Sequence, residues 1–250
     1  MLPPEDGLFQ GLRKLEYDLE FHAHAEAILK HDFAGIAEEL DTVLADFKLN
    51  VSELIASGGG VSEPTQRLRK ALDVSGWKKH VFNITKSVDG QAREATSHEV
   101  DHYWQQEQTA IALELEWNNK DTFFDRDLEN FKRLHVESAI SVGIIITRGK
   151  SFHESLKELV LGYCKRHDIN SFDKLKDHEI PRTERQLKGI EKALTGGKSF
   201  EEAFSNQFVS DKFGESTTHW KKLQEKVHRG AGGSCPLVLV GWPKGIIEED

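Results

Sequence analysis

Cysteine is almost missing from this chain, which carries only Cys164 and Cys235. Two thiols are too few for a disulfide framework or a four-cysteine zinc site. They read as small core residues in a reducing cytoplasm. Long apolar runs are missing too. No stretch reaches the roughly 18 residues that a membrane span needs, so no membrane partner is expected. The opening residues Met1-Leu2-Pro3-Pro4-Glu5-Asp6 lack the basic-then-apolar pattern of a secretory signal. There is no internal repeat and no low-complexity tract. A basic surplus is also lacking, since 33 Lys and Arg face 42 Asp and Glu for a net charge of -9. That balance argues against a general nucleic-acid binder, though it permits one whose basic groups are gathered in a cleft.

What remains is an ordinary core-forming composition, with 38% hydrophobic and 30% charged residues over 250 positions. No domain boundary stands out. A single domain over 1–250 is expected, with a helical N-terminal region (1–76) before a core (77–242). Leu12, Leu15, Leu19 and Phe21 recur near helical spacing, as do Ile36, Leu40, Val43 and Phe47. Residues 8–44 are therefore predicted helical, with Phe33-Ala34-Gly35 between two helices. His22 and His24 would then point to different sides of a helix, which speaks against a shared metal site. Ser57-Gly58-Gly59-Gly60 reads as a loop, and Pro64 suits the first turn of a helix that stops near Gly76.

From Trp77 the pattern changes. Strands are predicted over 79–85 and 97–103, with an Asp89-Gly90 hairpin turn between them. A third covers 109–117, followed by a helix over 123–135, a strand over 141–147 and a helix over 152–167. Later helices (183–194, 200–208, 221–228), a glycine-rich turn at 230–233 and a last strand over 236–242 complete an α/β pattern. A mixed central sheet flanked by helices is expected.

The chemistry concentrates in Ile111-Ala112-Leu113-Glu114-Leu115-Glu116-Trp117. On a strand, Glu114 and Glu116 share one face with Ala112, while the large apolar residues take the other. Two adjacent carboxylates on an apolar strand are costly unless compensated. One reading is a solvent-facing edge with ordinary glutamates. The other is a divalent cation, magnesium or manganese rather than zinc for oxygen donors. Asp101 favours the second. It ends a strand-like run thirteen residues before Glu114, far enough for the chain to turn back beside it. An acid, a hairpin-length gap and two residues at i and i+2 is a layout suited to metal-assisted phosphodiester hydrolysis. Asp101 and Glu114 would hold the metal, and Glu116 would orient or deprotonate the attacking water. Glu99 shares a strand face with Asp101 and competes for its role; His98 does not.

The segment Asp101…Glu114-x-Glu116 resembles the PD-(D/E)xK nuclease signature, with glutamate in place of its usual lysine. It is most similar to the BglII-type group of type II restriction endonucleases, with BamHI-like enzymes as near relatives. The strand Ile111–Trp117, the helix over 123–135 and the strand Gly143-Ile144-Ile145-Ile146-Thr147 follow in the group's order. Ser216-Thr217-Thr218-His219 and the stretch from Arg229-Gly230 to Cys235-Pro236 also look like its C-terminal part. The resemblance covers residues 77–242. It implies a restriction-endonuclease-like core, cleavage of double-stranded DNA, a Mg²⁺ cofactor that Mn²⁺ replaces, a homodimer and a cognate DNA methyltransferase encoded nearby.

The same resemblance puts the loop Asn118-Asn119-Lys120-Asp121 and the helix behind it near the major groove. Asn118, Asn119, Lys120 and Arg126 become candidates for DNA contact, although an Asn or Asp before a helix also serves as a plain cap. Arg148 at a strand end, and Ser216, Thr217, Thr218 and His219, are further candidates. Their alternatives are a solvated arginine and a hydroxyl-rich turn. Lys221, Lys222 and Lys226 form either a phosphate-facing stripe or a wet helix face. Asn83 is a remote candidate near the metal.

Three other readings stand beside this one. A repair or modification-dependent endonuclease shares the core and differs in substrate. A glycoside hydrolase fits poorly, because i and i+2 residues on one strand do not flank a sugar bond and aromatics are few. An inert DNA-binding regulator sits badly with the negative charge.

Overall fold

The computed structural model describes residues 7–56, 62–107 and 109–250. The predicted loop at Ser57-Gly58-Gly59-Gly60 lies outside them. Six strands form the main sheet: β1 (Asp18–His22), β3 (Lys78–Val88), β4 (Gln91–Gln106), β5 (Thr109–Glu116), β6 (Val142–Arg148) and β7 (Leu237–Trp242). Their order across the sheet is β1-β7-β6-β5-β4-β3. β5, β6 and β7 run parallel at its centre, and β1, β4 and β3 pair antiparallel at the flanks. A short parallel pair, β2 (Leu49–Asn50) with β8 (Ile247–Glu248), stands apart. The Asp89-Gly90 turn is realised between β3 and β4, with positive φ at both residues as a tight hairpin of matching twist requires.

Strand alternation divides the core into two layers. Ile111, Leu113 and Leu115 of β5, Ile144 and Ile146 of β6, and Val238 and Val240 of β7 face one side. There they meet α7 (Lys150–Arg166), α10 (Phe200–Lys212) and the N-terminal helices. Ala112, Ile145, Leu237 and Leu239 face the other side, against α6 (Thr122–Val136) and α11 (Trp220–His228). Glu114 and Glu116 alternate onto this second side, so the first turns of α6 come down over them.

How closely α6 approaches is set at Gly143 on β6. A Cβ built there would lie 2.4 Å from the Phe131 ring on α6. Gly143→Ala must push that helix away from the sheet, an overpacking cost of about 1–3 kcal/mol. A fall in Tm of roughly 2–10 °C is expected in thermal denaturation; an unchanged Tm would show that α6 is not seated by this contact.

The helical reading of 8–44 is corrected at one segment. α1 (Gln10–Lys14), α2 (Ala25–Asp32) and α3 (Ala34–Asp46) are helices, and Phe33 does separate the last two. Leu19 and Phe21, however, sit on β1, opposite Val240 and Val238 of β7. Glu16, Ala23 and His24 break helical continuity with φ of 61°, 48° and 64°. Near-helical spacing in so short a segment is a weak signal, and pairing with the open edge of β7 overrides it. Two short helices, α4 (Val51–Ile55) and α8 (Phe172–Asp177), had no sequence expectation; α5 (Glu63–Val74) and α9 (Glu184–Thr195) fall where helices are predicted.

Candidate active site

β5 carries both glutamates into the interior, Glu114 at 4% and Glu116 at 2% exposure. β4 brings the third acid. His102 pairs with Leu113 and Tyr103 with Ala112. Continuing that antiparallel register by one residue sets Asp101 opposite Glu114, on the same face. The Asp101 carboxylate turns to Arg69 of α5, whose Nη2 donates to it at 2.9 Å. Glu99, the competing acid, is more exposed and pairs with Lys79 at 2.7 Å. Asp101, Glu114 and Glu116 line one open cavity of about 1490 Å³, together with Asn118, Asn119 and Arg126. Asn83 is exposed on β3 and does not line it.

A fourth acid, Asp127 on α6, is fully buried beside Glu116. Sequence reasoning missed it. The signal was a charged residue within the apolar stripe Phe124, Leu128, Phe131 and Leu134 of an amphipathic helix. Burial first, and then the charges of Asp127, Asp101 and Glu116, hold the Glu114 carboxyl well above the usual carboxylate range. Burial, followed by the neighbouring Asp127 carboxyl, pushes Glu116 up to about 8. Asp127 is raised as well, chiefly by burial. The compensating groups are few. Asn119 donates its amide to Glu116 at 2.9 Å. Arg126 reaches Glu116 at 3.5 Å and Asp127 at 2.7 Å. So many buried carboxyls with so little positive charge form an all-oxygen donor set, the kind that suits a hard divalent cation.

The loop after β5 is fastened from a distant part of the chain. Thr218 donates its backbone N–H to Asn119 O at 2.8 Å, and Asp121 donates to Ser216 O at 3.0 Å. Lys120 and Thr217 form an antiparallel bridge between these bonds. Two groups of DNA-contact candidates are thus one unit. Within it Asn119, Lys120 and Ser216 are exposed, while Thr218 and His219 are buried. Arg126 is 54% exposed at the cavity rim.

Arg148 is placed differently from its expected role. It is fully buried and donates to Trp117 O at 3.1 Å, Thr217 Oγ1 at 2.6 Å, Thr218 O at 2.6 Å and His153 Nδ1 at 3.1 Å. Its guanidinium lies over Phe213, and burial lowers it to about 9. Its guanidinium is taken up by partners within the protein. It acts as a clamp joining the end of β5 to the 217–218 segment. Lys226 likewise is mostly covered and pairs with Asp125 at 2.7 Å.

His153 and His219 stack at 4.1 Å beside this clamp. Burial, and then the Arg148 charge, pushes His153 down to about 4. An unfolded histidine titrates near about 6.5. Between those values the unfolded chain binds more protons than the folded one, so stability falls as pH falls. His153→Gln is expected to show a shallower loss of Tm between pH 6.5 and 4.5 than wild type; equal slopes would refute the assignment.

The cavity also gathers cations that the sequence reading did not single out. Arg69, Arg182 and Lys212 line it with Arg126. Arg182 lies over the rings of Phe204 and Phe208, and its Nε and Nη2 have no hydrogen-bond partner among the described residues. Lys212 donates to the carbonyls of Leu54 and Ala56 at 2.8 and 2.9 Å. Arg69 and Lys212 come from separate helices and Arg182 from the loop before α9, and they meet only in the fold, so no local pattern announced them.

A mixed sheet with helices on both faces and buried acids on a central strand defines a restriction-endonuclease-like protein. Over residues 17–242 the chain matches the family model described as Restriction endonuclease BglII/BglIII, and it belongs to that family. It is a sequence-specific type II restriction endonuclease, a site-specific deoxyribonuclease that binds DNA. No curated protein matches it. Among the described residues no helix is long and apolar enough to cross a membrane.

Proposed function

We propose that this endonuclease hydrolyses both strands of double-stranded DNA with Mg²⁺ held by Asp101 and Glu114, Mn²⁺ substituting. It is read as a PD-(D/E)xK enzyme with Glu116 in the lysine position. The observation that carries this reading is the burial of Glu114 and Glu116 on one strand face with Asp101 opposite, all lining a single open cavity. The bound cation supplies a Lewis acid for the phosphate and lowers the pKa of a coordinated water. The protein supplies position. Asn119 and Arg126 hold the Glu116 carboxyl in place, where it would accept the water proton once the positive charge of the cation has drawn its own away. Water oxygen would attack phosphorus as the bond to the leaving sugar oxygen breaks; the water proton passes to Glu116, and the leaving oxygen takes a proton from solvent. Arg69, Arg126, Arg182 and Lys212 provide the local positive wall for the DNA backbone that the net charge of -9 does not.

The working unit is a homodimer, whose two-fold axis matches a palindromic site and brings one centre to each strand. A cognate methyltransferase protects the host genome, and the enzyme works in the cytoplasm. The test is digestion of unmethylated plasmid and phage DNA with Mg²⁺. Discrete fragments with one mapped end sequence are expected, and chelation with EDTA abolishes them. No cleavage of diverse DNA, with wild type and Glu114→Ala binding Mg²⁺ equally, would overturn the proposal. Cleavage of modified DNA alone would replace it with a modification-dependent enzyme.

A further inference from the structure

At the opposite edge of the sheet from β3, β1 and α11 bring together two imidazoles and a carboxylate. Glu20 pairs with Leu239 and His22 with Leu237, so both side chains share the sheet face that α11 covers. His228 is the last residue of α11, one turn beyond Gln224. His22 Nε2 lies 3.1 Å from Glu20 Oε2, and His228 Nε2 lies 3.5 Å from the same oxygen. The three potential ligand atoms all fall within 4.8 Å of one another. Gln224 donates its side-chain amide to the other Glu20 oxygen, Oε1.

We propose that Glu20, His22 and His228 form a second metal site, for a borderline transition metal of the zinc type and separate from the catalytic acids. Three arguments carry it. The donor set is two imidazole nitrogens and one carboxylate oxygen, which suits zinc and its neighbours rather than magnesium. The spacing fits, because zinc bonds of about 2.0–2.1 Å in a tetrahedron hold donors about 3.3 Å apart. The carboxylate is already oriented, since the Gln224 amide occupies Oε1 and leaves Oε2 facing both rings. A tetrahedral ion here keeps its fourth position for water. Its role is a fastening one. It ties the edge strand β1 to α11, the helix that begins directly after the 216–219 segment holding the active-site loop.

The competing view is a plain ion-pair cluster in which protonated histidines face Glu20. Zinc titration by calorimetry separates the two. Glu114→Ala protein serves as the parent, which removes the central acid of the catalytic cluster and so weakens any zinc binding there. It is expected to bind one zinc per chain. His22→Ala and His228→Ala added to that parent weaken binding at least about 100-fold, and Gln224→Leu weakens it by roughly 10–100-fold. At a hundredfold excess over Kd, zinc raises the parent Tm by about 5–10 °C. His228 is 59% exposed, so its replacement leaves the fold intact, which circular dichroism checks. No zinc binding by the parent, or equal binding by the histidine variants, would overturn the proposal.

Discussion

Glu114→Gln is expected to lower DNA cleavage at least about a thousandfold and, in the same protein, to raise the Tm measured without divalent metal. The first effect follows from the proposed ligand role, and corresponds to about 4 kcal/mol of transition-state stabilisation. The second follows from burial. Glu114 is held far above the usual carboxylate range by desolvation and by Asp127, Asp101 and Glu116. An amide of the same shape removes the ionisation that these neighbours oppose. A gain of about 1–2 kcal/mol, or roughly 2–8 °C in Tm, is expected at neutral pH. Excess Mg²⁺ should raise wild-type Tm and leave the variant little changed. Lost cleavage without any gain in metal-free stability would mean that the acids do not strain one another as the structure implies.

Arg148→Ala is expected to be the most destabilising single change considered. The side chain is fully buried and serves two backbone carbonyls, a threonine hydroxyl and a histidine nitrogen. Truncation leaves those acceptors desolvated and opens a cavity over Phe213. Breaking such an arrangement costs about 3–5 kcal/mol, or a Tm loss of roughly 6–20 °C. Because the clamp holds Trp117 and the 217–218 segment together, cleavage should fall further than folded fraction alone explains. Arg148→Lys cannot reproduce a planar fork and is expected to rescue little. A variant with unchanged Tm but weakened DNA binding would restore the surface role first assigned to Arg148.

That reassignment shows where sequence reading ran out. β5, α6 and β6 were legible because a long apolar strand, an amphipathic helix and a β-branched run each carry their own period. The acids at 101, 114 and 116 were legible because strand alternation and a hairpin gap bring them together without knowledge of the rest. Arg148 was not, because an arginine at a strand end looks the same whether solvent or Phe213 lies above it. Leu19 and Phe21 misled because five residues are too few to separate periods of 2 and 3.6. Arg182, in the loop before α9, and Lys212, on α10, join the cavity through contacts far apart in sequence from the acids, and no local rule reports such meetings.

The bridge between Lys120 and Thr217 also sets an order in time. The strand bearing the glutamates is complete at residue 116, but its trailing loop finds its partner about a hundred residues later. β1 likewise waits for β7, so the first strand of the sheet pairs only when the last one has emerged. Contacts of such long range form late. A chain made only as far as β6 therefore has its acids but not the frame that aims them.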